Sequence, residues 1–107
     1  MAKIKSFEEL KSWQQARELC KLVFEFSNKI EFSKEFSLKD QIKRSSGSVM
    51  DNIAEGFERS SNKDFNRFLE ISLGSLYELQ TQIIISSSRS YFDVSKLENI
   101  ENKITEL

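Results

Sequence analysis

The sequence predicts an all-α protein, an antiparallel up-down-up-down four-helix bundle, and three observations carry that prediction. Apolar residues recur at three- and four-residue steps in four separate stretches, which is the period of a helix with one face turned to a core. Neither an alternating apolar–polar run nor an Asn-Gly or Asp-Gly hairpin pair occurs, so no β-structure is expected. With no proline and three glycines in 107 residues, nothing reads as a linker, and one domain spanning residues 1–107 is expected. Short connections between amphipathic helices favour antiparallel neighbours. The helices are expected at about 7–30, 38–58, 62–88 and 96–107.

The first helix opens on Ser6-Phe7-Glu8-Glu9, a capping box with Ser6 as N-cap and Glu9 reaching back from the third position. Leu10, Trp13, Ala16, Leu19, Val23, Phe26 and Ile30 then form one apolar face, which Phe24 widens. The run Asn28 to Ser37 reads as a connection whose Phe32 and Phe36 plug one end of the bundle. A second start signal, Ser37-Leu38-Lys39-Asp40, leads into Leu38, Ile42, Ser45 or Ser46, Val49, Ile53 and Phe57. Ser61 with Asp64 opens the third and longest helix, whose face is Phe65, Phe68, Leu69, Ser72, Leu76, Leu79 and Ile83, broadened by Ile71, Leu73 and Ile84. After a turn region at Ser86 to Phe92, Ser95 to Glu98 is a further capping box, and Leu97, Ile100, Ile104 and Leu107 give the fourth helix a narrow face. At 1.5 Å per residue that helix is only about 18 Å long against about 40 Å for the third. It leaves apolar surface for other copies of the chain to cover.

Composition excludes several function classes. The apolar fraction, 38%, is low, and nine phenylalanines partly make up for it. Sixteen basic and seventeen acidic residues give a net charge of −1, so there is no overall electrostatic footprint for nucleic acid. One cysteine, Cys20, allows no internal disulfide and suits a reducing compartment. No signal peptide is visible, and the longest aliphatic run, Ile83-Ile84-Ile85, is far short of the ~20 residues that span a membrane. A cytoplasmic protein is expected. A bundle-core di-iron site needs histidine, and the chain has none. One cysteine is too few for a zinc site, and no phosphate-binding glycine pattern is present. No catalytic residue, metal, cofactor or small-molecule substrate is therefore assigned. Glu55 and Glu78 are the one carboxylate pair to consider, and a network with Arg or Asn suits them better.

The stretch QIKRSSGSVMDNIAEGFER, residues 41–59, is unusually polar and rich in small residues for a helix. Gln41, Arg44, Ser48, Asn52, Glu55 and Arg59 recur at three- and four-residue steps, forming a second stripe opposite the apolar one. Ser72, Gly74 and Ser75, with Glu70 and Glu78 nearby, offer a matching set on the third helix. Glycine inside a helix costs about 0.5–1 kcal/mol relative to alanine, so Gly47 and Gly74 imply a packing or functional reason. The stripe has three readings: a solvated face, a close helix–helix or subunit contact, or a ligand or RNA contact. For RNA the best residues are Lys39, Lys43, Arg44, Arg59, Lys63 and Arg67, but Asp40, Asp51, Glu55, Glu58 and Asp64 fall in the same window.

Trp13-Gln14 with Ala16, then Gln41, Arg44 and Ser48, then Asn52-Ile53-Ala54-Glu55-Gly56 with Arg59, followed by Phe65, Leu69, Gly74-Ser75 and Glu78, resemble one known family in order and spacing. It comprises the small four-helix-bundle proteins encoded in intervening sequences of bacterial 23S ribosomal RNA genes. The resemblance covers nearly the whole chain, and the fourth helix is its weakest part. It implies an up-down bundle, a cytoplasmic bacterial protein and a ring-like homo-oligomer, a pentamer. In fold the family is similar to the accessory protein of diversity-generating retroelements, a basic partner of reverse transcriptase and nucleic acid. The near-neutral charge of this chain departs from that character. The resulting expectation is a non-catalytic, self-assembling bundle, with RNA binding by a ring-assembled basic patch as the alternative.

Overall fold

The computed structural model describes residues 4–27, 36–86 and 94–106. Four α-helices occupy them: α1 (Lys11–Ser27), α2 (Phe36–Phe57), α3 (Asn62–Ser86) and α4 (Val94–Glu106), preceded by a short 3-10 turn at Phe7–Glu9. Among the described residues there is no strand, so the all-α class predicted from periodicity holds.

The chain enters differently from the single helix expected from residue 7. Glu9 N–H donates to Ser6 O (3.1 Å) and Leu10 N–H to Phe7 O (3.0 Å), the tight three-residue pattern of a 3-10 turn. Leu10 then turns extended, with φ −72° and ψ 128°, which separates this turn from α1. The predicted reach of Glu9 is present: its Oε2 accepts the N–H groups of Lys5 (2.6 Å) and Ser6 (3.0 Å). These backbone hydrogen bonds hold the Glu9 carboxyl below the usual carboxylate range. The turn brings Phe7 edge-on to Trp13, ring centroids 5.2 Å apart, and both partly or fully leave solvent.

Two further starts also move. Helix α2 begins at Phe36 and α4 at Val94, so Ser37 and Ser95 lie inside first turns rather than capping them. No proline or glycine precedes either serine closely enough to stop the helix earlier. The start of α3 is as expected, with Asp64 N–H donating to Ser61 Oγ at 3.1 Å. The expectations placed on Ile30, Phe32, Leu107 and residues 87–93, and on the side chains of Phe26, Phe36, Ile84, Leu97 and Ile100, lie outside the described residues or side chains.

The core is the predicted one in outline. Leu10, Trp13, Ala16, Leu19 and Val23 of the first segment meet Ile42, Val49 and Ile53 of α2, Leu69, Leu76, Leu79 and Ile83 of α3, and Ile104 of α4. Each large side chain fully removed from water contributes about 1.5–3 kcal/mol. Phe57, Phe65 and Leu73 pack at its margin. Two residues expected to widen the faces do not enter it: Phe24 is 60% exposed and Ile71 44%. At the far side α4, with 13 residues, is the shortest helix. Tyr77 of α3 donates its hydroxyl to Glu101 Oε1 of α4 at 2.7 Å, and that bond holds the phenol above its ordinary pKa.

Candidate functional site

The most extensive helix–helix contact joins α2 to α3, and it runs through small residues. Following α2 backward from Gly56 to Ser45, the partners on α3 advance from Phe68 to Gln82. At Gly56 the helices all but touch: a β-carbon there would lie 2.7 Å from Phe68 Cβ, 3.0 Å from Phe65 Cδ1 and 3.3 Å from Phe65 O. Only glycine fits that approach. Further along, Ser72 Oγ donates to Val49 O (2.9 Å), Ser48 and Ser75 share a hydroxyl–hydroxyl bond of 2.8 Å, and Ser45 Oγ donates to Gln82 Oε1 (2.9 Å). Serines at Ser45, Ser72 and Ser75 are buried, and each has a hydrogen-bond partner, which is the condition for burying a polar group at low cost.

The polar stripe predicted on α2 is therefore divided. Its middle faces α3: Ser48 bonds Ser75, and Asn52 Nδ2 donates to Ser48 O (2.8 Å) and Ser48 Oγ (3.0 Å). Its ends face outward. Arg44 pairs with Asp40 at 3.1 Å and Arg59 with Glu55 at 2.6 Å, both one helical turn apart and solvent-exposed. Gln41 and Glu78 are also exposed. Gln41, Arg44, Ser45, Ser48, Glu78 and Gln82 together line a shallow polar groove of about 320 Å³ between α2 and α3. Glu55 is not part of a buried network; its partner is the exposed Arg59. Sequence reasoning placed Ser75 in the set on the third helix that matches the stripe, without its partner, and missed Gln82. Neither carries a local signal, because each is defined by a partner more than 25 positions away.

This division sets the expected size of two substitutions. Asn52→Ala removes two hydrogen bonds that fix Ser48 against Ser75, and a stability loss of about 0.5–1 kcal/mol is expected after the better helix propensity of alanine is allowed for. Glu55→Ala breaks only an exposed one-turn ion pair, worth about 0.3–0.5 kcal/mol. Urea denaturation of the two variants side by side should show the larger shift for Asn52→Ala, and the reverse order would put Asn52 back on a solvated face.

The six candidate nucleic-acid residues do not gather into one patch. Lys43 Nζ lies over the Phe24 ring at 5.3 Å, on the α1 side of α2. Arg59 and Arg67 flank the ring of Phe68 at 4.8 and 5.1 Å near the α2–α3 turn, where Lys63 is exposed. Arg44 is paired with Asp40, and Lys39 is half-buried near the start of α2. The other two glycines contrast with Gly56: a β-carbon at Gly47 or Gly74 would meet nothing within 4 Å. Neither is required by packing among the described residues. Cys20, half-buried beside Gly47, donates its thiol to Ser46 O at 3.3 Å, and burial pushes the thiol above its usual pKa, which lowers its reactivity.

A family model described as 23S rRNA-intervening sequence protein matches residues 8–107. Among solved structures, the chain is similar to a protein with unknown function from the S23 ribosomal protein family of Bacteroides thetaiotaomicron VPI-5482. The similarity is 26% in sequence identity over 89% of both chains, with a TM-score of 0.67. No curated protein matches the chain. No helix among the described residues is long and apolar enough to cross a membrane.

Proposed function

The chain belongs to the 23S rRNA-intervening sequence protein family, and from that premise we propose that it is a non-catalytic, self-associating scaffold. In this reading it is a single cytoplasmic domain with its four helices in antiparallel up-down-up-down order. Copies join through surfaces that one copy leaves open on α1, α2 and α3.

The observation that carries this reading is the pair of mid-helix glycines with no close neighbour among the described residues. Gly47 and Gly74 each weaken their helix by about 0.5–1 kcal/mol relative to alanine, and among the described residues nothing lies within 4 Å of where a β-carbon would sit at either. Exposed apolar groups stand next to both. Gly74 follows Ile71, 44% exposed, by three positions on α3, and Ile85, 69% exposed, lies about three turns further along the same side. Gly47 lines a groove of about 280 Å³ with Cys20, Val23 and Phe24 between α1 and α2. These are two different surfaces. A contact of one against the other is heterologous, and such contacts close into rings when the rotation permits, as in the pentamer implied by the sequence resemblance. The polar groove of Gln41, Arg44 and Glu78 borders the α3 surface and supplies its hydrophilic rim.

Sedimentation velocity at micromolar concentration tests this reading. The wild-type chain should sediment as an oligomer. Gly74→Ala and Gly47→Ala should each stabilise the isolated chain while weakening association about tenfold, because the added methyl blocks close approach by a neighbour's backbone. A monomeric wild type, or variants that gain stability and associate undiminished, would overturn it.

A further inference from the structure

We propose that α3 of one copy lies antiparallel to α2 of the next, with Gly74 seated in the Gly47 groove and Glu78 paired across the contact with Lys43. This rests on the self-association reading and adds to it the direction of the neighbouring helix and the charge pair that sets it. Each glycine is flanked by charges one turn away on its own side of the helix. Lys43 and Asp51 stand four residues before and after Gly47, and Glu70 and Glu78 stand in the same relation to Gly74. Lys43 also lines the groove beside Gly47. Its Nζ lies 5.3 Å from the centre of the Phe24 ring, which is 60% exposed, so the ammonium is held at the groove's rim. Among the described residues none of the four charged groups has an ion-pair partner.

The two acids beside Gly74 are not equivalent. Glu70 has Arg67 one turn before it, exposed and over the Phe68 ring at 5.1 Å. The residues one turn from Glu78 on α3 are Gly74, Ser75, Thr81 and Gln82, and none is a cation. Glu78 does share its polar groove with Arg44, but that guanidinium is 3.1 Å from Asp40. When the helices cross at the two glycines, residues four positions away lie about 6 Å from the crossing, within reach of a lysine and a glutamate side chain. An antiparallel crossing sets Lys43 against Glu78 and brings Asp51 to the Glu70 end, where Arg67 answers both carboxylates. A parallel crossing sets Lys43 against Glu70, which already has Arg67 beside it. It also sets Asp51 against Glu78, with no cation one turn from either on its own helix. Like charges facing each other across an interface suppress that pairing, so the antiparallel direction is selected. The exposed Ile71 and Phe24 supply apolar contact beside the charges.

Charge exchange in the full chain, read by sedimentation velocity at low ionic strength, tests the pairing. Lys43→Glu and Glu78→Lys should each weaken association at least tenfold, with helix content by circular dichroism unchanged. The double variant Lys43→Glu with Glu78→Lys should return association to within threefold of wild type, because a heterologous contact then meets opposite charges again. Lys43→Glu with Glu70→Lys should stay at least tenfold weak. Glu78 is exposed, so Glu78→Lys alone decides the matter should Lys43→Glu not fold. A monomeric wild type removes the self-association reading and the pairing with it. An oligomeric wild type overturns the pairing alone if Glu78→Lys associates undiminished or the first double variant is not restored. Restoration by Glu70→Lys instead would mean parallel helices and overturns it as well.

Discussion

Gly56→Ala is expected to destabilise the protein by about 1–2 kcal/mol, although alanine is the better helix former. The helix term alone would favour the substitution by about 0.5–1 kcal/mol. Against it stands the position of the new methyl, 2.7 Å from Phe68 Cβ and 3.3 Å from Phe65 O. Neither atom is the free end of a side chain that can swing aside, so α2 and α3 must separate, and overpacking of this kind costs about 1–3 kcal/mol. With about 4–8 °C of melting temperature per kcal/mol for a domain of this size, the variant should melt several degrees below wild type. Trimming Phe68 to alanine in the Gly56→Ala background should not restore stability, because the clash is with a β-carbon that alanine keeps. Gly74→Ala provides the contrast, since the same methyl there meets nothing. A Gly56→Ala variant more stable than wild type would show that the helices are not held at this distance.

Glycine marks the boundary of what the sequence could reveal. Helical propensity singles out the mid-helix Gly47 and Gly74 as costly, but the register between α2 and α3 shows that Gly56, near the end of α2, is the one packing requires. The core was legible because its period is local: Leu19, Val23, Ile42, Val49, Ile53, Leu76 and Leu79 follow from spacing alone, and all are buried. The limits of the faces were less legible. Phe24 and Ile71 sit at edges of their stripes, and whether an edge residue is covered depends on the neighbouring helix rather than on its own. The same distinction runs through the polar stripe. Pairs one turn apart, Arg44 with Asp40 and Arg59 with Glu55, follow from the helical repeat. The cross-helix bonds Ser48–Ser75, Ser45–Gln82 and Tyr77–Glu101 depend on a register that no single stretch encodes. The break at Leu10 was hidden for another reason. Ser6 and Glu9 form their predicted link whether the next residue continues the helix or leaves it.

Ser72→Leu should have the largest effect of the substitutions considered, a loss of about 2–4 kcal/mol. By composition the change looks favourable, since it places a strong helix former and a large apolar side chain on the core face of α3. Ser72 is fully buried, however, and its hydroxyl reaches the α2 backbone at Val49 O, 2.9 Å away. Leucine would have to occupy the space across which that short bond is made. The overpacking cost of about 1–3 kcal/mol adds to loss of the hydrogen bond, about 0.5–1.5 kcal/mol. Ser72→Ala separates the two contributions, because it removes the bond and adds no volume, and it should cost about 1 kcal/mol or less. Both can be read from the urea midpoint at unchanged slope. A leucine variant as stable as wild type would mean that α2 and α3 have room to part, and the serines between them would then be a solvated seam rather than the contact that sets the spacing of the two helices.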